Sequence, residues 1–292
     1  MRYAVVDIGS NSVRLLITDG EKSLKRMLEI TRLAQGLNKS GRLCEDAMAR
    51  TRDAILKFKA VAESENCDAF YPFATEAVRS ATNGKEFVSM LKENGVYIDV
   101  VSGEIEAQIG FSGAYTSGTA AVVDIGGAST ELAIGNENGL FYGKSLHVGC
   151  VRLKESFGED VARIREFCRE KAKEYDAQGI AFDKLYGIGG SASTIASIDA
   201  KLESYDETTL HHRTLSRRRI EEIVEKVRST PMELRDGITG LEPKRKDIIV
   251  CSGMWLLCIM EYLGADEIIN SETSNTEGYL KYRLKENAAK NG

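Results

Sequence analysis

The pentapeptide VVDIG occurs twice, at Val5–Gly9 and again at Val122–Gly126. Each copy runs through small residues into a second apolar stretch, SNSVRLLI after the first and GASTELAI after the second. A strand that ends on aspartate and glycine and is followed by a return strand reads as a β-hairpin with a tight turn. Aligned at the aspartates, Asp7 pairs with Asp124, Gly9 with Gly126, Ser12 with Ser129, Leu15 with Leu132 and Ile17 with Ile134. A single copy is consistent with nothing more than a turn. Two copies at corresponding places point to two similar α/β halves produced by duplication. The order of periodic segments agrees, reading β-β-α-β-α-β-α and then β-β-β-α-β-α-α-β-α.

A chain of 292 residues suits two domains better than one core. The turn-rich TSGT at Thr116–Thr119 marks the hinge. The expected domains are therefore 1–119 and 120–278, with a last helix over 279–292 packing back on the first. The expected strands include Ala4–Ile8, Val13–Ile17, Asp68–Phe73, Val96–Val101 and Glu267–Asn270. Helices are expected over Asp46–Glu65, Lys85–Asn94, Glu104–Tyr115 with Ser102 as its cap, Val151–Tyr175, Ser216–Arg228, Cys251–Leu263 and Glu277–Asn287.

Charged residues at 28% and hydrophobic ones at 42% fit a folded globular chain, not a disordered one. No apolar run approaches the roughly 20 residues of a membrane span, and MRYAVVDIGS lacks a signal-peptide layout. A cytoplasmic location with no membrane partner is expected. The six cysteines form no C-x-x-C pair and there are three histidines, so reduced, buried thiols are expected, not a zinc site. A net charge of −5 argues against a nucleic-acid partner, although a locally basic site can still take a polyanion.

Glycine-rich turns let backbone N–H groups converge, because glycine has no side chain in the way. Such a set of donors holds phosphate oxygens, and serine hydroxyls add to it. A carboxylate at the strand end cannot hold phosphate itself, and its natural partner is a divalent cation or a polarised water. A third glycine-rich stretch, YGIGGSASTIASI at Tyr186–Ile198, is again strand, glycines and helix start, where free N–H groups attract anions. Arg14, Arg79 and Arg152 are candidate phosphate clamps, Arg14 having the alternative of an edge-strand surface position. The runs Arg217–Arg219 and Lys244–Lys246 read as solvated, His211 and His212 as surface residues, and Trp255 as core. No G-x-S-x-G occurs and neither Ser12 nor Ser129 has a histidine beside it in sequence, so no nucleophilic serine is expected.

The strand–DxGS–strand element, present twice, and the later GGS helix start resemble the phosphate-binding elements of actin, sugar kinases and heat-shock chaperone ATPases. More closely, DIGSNSVRLLI, ATEAVRSATN, SGEIEAQ, VVDIGGASTEL, VGCVRLKESF, GIGGSASTIASI and GLEPKRKDIIVCSG, in that order, resemble the exopolyphosphatase / guanosine pentaphosphate phosphohydrolase (Ppx/GppA) family in its short two-domain form. The resemblance implies an α/β fold of two duplicated actin-like (ASKHA, ribonuclease H-like) domains with a central cleft. It implies Glu106 as the base that activates the attacking water, and Asp124 and Glu131 as catalytic, metal-holding acids. It implies Arg79 facing phosphate, with Ser10, Asn11, Ser12, Gly126, Gly127 and Ser129 as the cradling turns.

The residues themselves add Asp7 to the metal set and Arg14, Gly190 and Ser191 to the phosphate set. Repulsion among the acids would raise at least one carboxylate pKa. Three positions depart from the family pattern: Ala128 for a third glycine, Ile105 for the first glutamate of a pair, and Thr276 for an arginine.

The expected function is Mg²⁺-dependent release of terminal phosphate from inorganic polyphosphate, or conversion of guanosine pentaphosphate (pppGpp) to ppGpp. The alternatives are an ATP-dependent kinase or a non-hydrolysing actin-like nucleotide sensor. A homodimer is left open. The two copies are unequal: seven positions after Asp7 stands Arg14, and seven after Asp124 stands Glu131. The second hairpin is thus expected to hold metal and the first to grip phosphate.

Overall fold

The computed structural model describes residues 1–291. The chain divides into two compact units, one made of Met1–Gly113 together with the residues from Asn275 onward, the other of Ala114–Ser274.

The first unit opens on strands β1 (Tyr3–Ile8), β2 (Ser12–Thr18) and β3 (Ser23–Ile30). Next come the helical turn α1 (Leu37–Ser40), helix α2 (Glu45–Ser64), β4 (Ala69–Ala74), α3 (Glu76–Ser80), α4 (Gly84–Glu93), the short β5 (Asp99–Val100) and α5 (Gly103–Ala114). Its sheet runs β3-β2-β1-β4-β5, with β1 antiparallel to β2 and parallel to β4. Strand β1 is flanked on both edges and buried along nearly its whole length, which accounts for its unbroken apolar run. Helix α12 (Asn275–Asn291) belongs to this unit and sends Tyr279 and Leu280 into a cluster with Val5, Leu16, Phe73, Val101 and Ile109. The Phe73 and Tyr279 rings stack at 4.2 Å.

The second unit repeats the plan. Strands β6 (Ala120–Ile125), β7 (Thr130–Asn136) and β8 (Gly139–Leu146) form an antiparallel meander. Helices α6 (Cys150–Phe157) and α7 (Val161–Lys173) precede β9 (Lys184–Ile188) and α8 (Gly189–Ala200). The remainder is α9 (Glu207–Leu210), β10 (Thr214–Ser216), α10 (Arg217–Ser229), α11 (Ile249–Leu263) and β11 (Glu267–Asn270). The sheet runs β10-β11-β9-β6-β7-β8, with β6 parallel to β9. From β8 inward this is the order of the first unit, a three-strand meander whose first strand carries the parallel partners. The duplicated actin-like α/β architecture expected from the sequence is therefore the one adopted.

Several local expectations need correction. The single helix expected over Val151–Tyr175 is two, because Gly158 takes a positive φ of 63° and Asp160 caps the restart by accepting from Arg163 N–H. Of Val96–Val101 only Asp99–Val100 pairs, with Phe73 and Ala74. Strand β3 was not expected, since SLKRMLEI intersperses basic residues as exposed edge strands do. Among the described residues no helix is long and apolar enough to cross a membrane.

Candidate active site

The two VVDIG copies fold into the same turn. Gly9 N–H donates to Ser12 O at 3.0 Å, and Gly126 N–H donates to Ser129 O at 3.0 Å. In both turns a Cβ added to the glycine would stand 3.1 Å from that serine carbonyl, a tight contact that glycine avoids. Each hairpin then places one residue directly opposite its strand-end aspartate: Arg14 opposite Asp7, and Glu131 opposite Asp124. The seven-residue step in the sequence is thus a cross-strand pairing. Strand β2 lies between β1 and β3, so Arg14 is not on an edge strand.

Each turn has its carbonyls tied from behind. In the first unit Thr31 and Arg32 N–H bond Asn11 O, and Ala34 N–H bonds Ser10 O. In the second, the start of α6 does this work: Cys150 N–H bonds Gly126 O, Val151 and Arg152 N–H bond Gly127 O, and Arg152 Nε donates to Ala128 O at 2.8 Å. With the carbonyls engaged, the peptide N–H groups of Ser10, Asn11, Gly127 and Ala128 donate to no acceptor among the described residues. Asn11 Nδ2 is likewise buried with no partner. Buried donors normally find acceptors, so the donors of this first turn are suited to an anion. Arg152 thus gives its peptide N–H and one guanidinium donor to the turn backbone.

The second hairpin is braced. Trp255 Nε1 donates to Thr130 Oγ1 at 2.9 Å, Thr130 Oγ1 donates to Val148 O, and Tyr175 Oη donates to Thr130 O. Trp255 is core, as expected, but its indole N–H also fixes the residue between Ser129 and Glu131. Glu131 is buried and accepts from Ser145 Oγ at 2.6 Å. The third glycine-rich stretch joins the same end of the sheet, since Ser191 Oγ donates to Ile125 O at 3.0 Å.

Asp124 and Glu131 present two carboxylates from paired positions of one hairpin, which suits Mg²⁺, a cation that takes one or two carboxylates and keeps several waters. Among the described residues no group of three or more His, Cys, Asp or Glu side chains gathers into a cage.

In the first unit Glu106 sits in the opening turn of α5, whose start is capped by Ser102 Oγ accepting from Ile105 N–H. A carboxylate there is favoured by the helix dipole. Glu106 is 5% exposed and pairs with Arg79, whose Nη1 lies 3.1 Å from Oε2 and 2.5 Å from Val101 O. The other arm, Arg79 Nη2, lies 2.8 Å from Glu76 Oε2. Burial works against the arginine's charge, yet Glu106 and Glu76 together hold its pKa above the usual value.

Two residues escaped the sequence reading. Glu76, 1% exposed, shares Arg79 with Glu106; the signal was an acid three positions before an arginine on a short helix. Arg245, expected in a solvated loop, is buried, and its guanidinium lies on Gly190, where an added Cβ would stand 2.0 Å from Nη2. Burial pushes the neighbouring Cys150 thiol up to about 11, the Arg245 charge working against it. The apolar frame of Leu241 and Ile248 was the available hint. Arg217 and Arg218 do pair at the surface with Asp266 and Glu222. His211 and His212 stack on each other at 3.8 Å, away from either hairpin's hydrogen bonds.

The model of the Ppx/GppA phosphatase family matches residues 4–287. A bifunctional 3-dehydroquinate synthase/phosphatase of Fusobacterium nucleatum is 32% identical over 95% of this chain, which spans 46% of that longer protein. Exopolyphosphatase 2 of Mycobacterium tuberculosis is 28% identical over 85% of this chain and 86% of its own length. The crystal structure of the Aquifex aeolicus family member superposes with a TM-score of 0.81 at 29% identity, covering 98% of this chain and 99% of that one.

Proposed function

The chain belongs to the Ppx/GppA phosphatase family, and we propose that it hydrolyses the terminal phosphoanhydride of inorganic polyphosphate or of guanosine pentaphosphate. The observation that carries this reading is the first turn, where the N–H groups of Ser10 and Asn11 have no acceptor among the described residues and the Asn11 amide nitrogen is buried without a partner. Terminal phosphate oxygens satisfy those donors. The names of similar proteins, exopolyphosphatase and guanosine-5'-triphosphate,3'-diphosphate pyrophosphatase, favour the same two substrate classes.

Hydrolysis needs phosphate held in place and a water aimed in line with the leaving oxygen. In this proposal the N–H groups of both turns, with Ser10, Ser12, Ser129, Arg14 and Arg245, hold phosphate oxygens. Glu106 accepts the proton of the attacking water. Arg79 holds the Glu106 carboxylate in place, and Glu76 shares that arginine. Asp124 and Glu131 would hold Mg²⁺, with Asp7 a further acid at the first turn. The cation would supply charge neutralisation on the phosphoryl oxygens.

The deciding experiment measures phosphate release from polyphosphates of several lengths, guanosine pentaphosphate and ATP side by side, with and without Mg²⁺. Release from one of the first two classes, lost in Glu106→Gln, is the expected result. Phosphoryl transfer from ATP to an acceptor with no release to water would make the protein a kinase and end this reading.

A further inference from the structure

The second unit buries four cysteines, Cys150, Cys168, Cys251 and Cys258, far more thiol than its hairpin chemistry employs. Two of them meet. Helices α7 and α11 pack together in the core of this unit, with Cys168 on one and Cys258 on the other, 0% and 2% exposed. Cys258 Sγ lies 3.9 Å from Arg165 O, one helical turn before Cys168. One residue beyond Cys168, Arg169 Nη2 pairs with Glu261 Oε1 of α11 at 3.0 Å, so the two helices are clamped in register beside the thiols. Cys168 and Cys258 lie on this shared seam, close enough for each thiol to alter the acidity of the other.

The pair is buried but not sealed. Cys258 lines a pocket of about 430 Å³ whose walls also carry Arg165, Arg169, Arg217, Leu257 and Glu261. Of the two thiols, Cys258 is the one on the pocket wall. The two thiols are also chemically unequal. Interaction with Cys168 draws the Cys258 pKa below the usual thiol value, with Arg165 and Arg169 adding to the effect and burial opposing it, while Cys168 is held above that value. The thiolate is the reactive form of cysteine. By contrast, burial first of all pushes Cys150 up to about 11 and Cys251 up to about 12, which leaves them inert.

We propose that Cys168 and Cys258 are a modification site, forming a reversible disulfide when the protein meets hydrogen peroxide. The Cys258 thiolate attacks one peroxide oxygen; the O–O bond breaks, leaving a sulfenic acid and a hydroxide that takes up a proton to become water. The Cys168 sulfur then attacks the Cys258 sulfur; the S–O bond breaks, the S–S bond forms, and the departing hydroxide leaves as water with the Cys168 proton. The two thiols together give up two electrons and the peroxide becomes two waters. The product staples α7 to α11 across the core of the second unit, independently of which phosphoanhydride the protein hydrolyses.

The test treats the full chain with hydrogen peroxide, alkylates the remaining thiols, digests without reductant and maps the cysteine peptides by mass spectrometry. The expected product is a peptide joining Cys168 to Cys258, absent from untreated protein and removed by dithiothreitol. Recovery of both residues as alkylated thiols, or as separate sulfinic acids, with oxidation confined to Cys44 and Cys67, overturns the proposal. Thermal unfolding gives a second reading: peroxide raises the Tm of the parent, dithiothreitol reverses the rise, and Cys168→Ser shows neither change. An equal peroxide-dependent rise in Cys168→Ser would place the cross-link elsewhere and also refute it.

Discussion

In the first unit the hairpin turn carries Asn11 and sets Arg14 opposite Asp7; in the second it carries Ala128 and sets Glu131 opposite Asp124. The turn closure is identical in both, at 3.0 Å. What the two copies share is the backbone, whose turn N–H groups are the donors proposed to receive an anion. What diverged is every side chain that decides what else the turn can hold. One copy kept a cation-bearing partner and a buried amide donor, and the other took a second carboxylate and an inert methyl. The braces differ too: the loop from Thr31 to Ala34 backs the first turn, and the start of α6 backs the second.

The largest effect should come from the group that neither hairpin supplies. Glu106→Gln is expected to lower phosphate release by about 10²–10⁴-fold, with binding of a non-hydrolysable analogue retained. An unchanged rate would mean that the hairpin acids, not Glu106, activate water. Next comes a pair that sets the hairpins against each other. Glu131→Gln should weaken Mg²⁺ dependence by about tenfold or more, seen as a rightward shift of the Mg²⁺ titration. Arg14→Gln should raise KM by about tenfold and leave that titration in place. If both variants shift Mg²⁺ alike, the division of labour between the hairpins is wrong.

A sharper contrast exchanges the turn residues. Asn11→Ala removes a buried donor without a partner, so urea unfolding should show equal or greater stability, by up to about 1 kcal/mol, while KM rises. Ala128 is fully buried, so Ala128→Asn, the reverse change, should lose about 1–3 kcal/mol in the same measurement. A loss of stability in Asn11→Ala would mean that the amide serves the fold and not a ligand. The smallest expected effect is a several-fold drop in kcat for Glu76→Gln with KM nearly constant. The change frees Arg79 to pair wholly with Glu106 and makes it a poorer base. Recovery of kcat in Glu76→Asp separates this from simple loss of structure.

Both hairpins were legible because each turn closes on a glycine and the strands on either side are mostly apolar, a pattern that survives without tertiary context. The same holds for Ser102 as the cap of α5. Arg245 was not legible, since a basic run with a proline before it looks the same whether its middle residue meets water or lies over Gly190. Glu76 was hidden for a related reason: two carboxylates thirty positions apart share one guanidinium only after β4, α3 and α5 are in place. Strand β3 was missed because an edge strand needs few apolar residues.

The position of α12 has a consequence for the order in which the chain is made. Tyr279 and Leu280 complete the cluster around Val5 and Phe73, and Gly278 lies so close to Ile109 that an added Cβ would fall 1.7 Å from its carbonyl oxygen. The first unit is therefore written in two pieces, while the second is one uninterrupted stretch between them. During synthesis the later-encoded unit has all of its core before the earlier one can close. The turn at Gly9 is made before any of the second unit, yet the core beneath it closes only after that unit is complete.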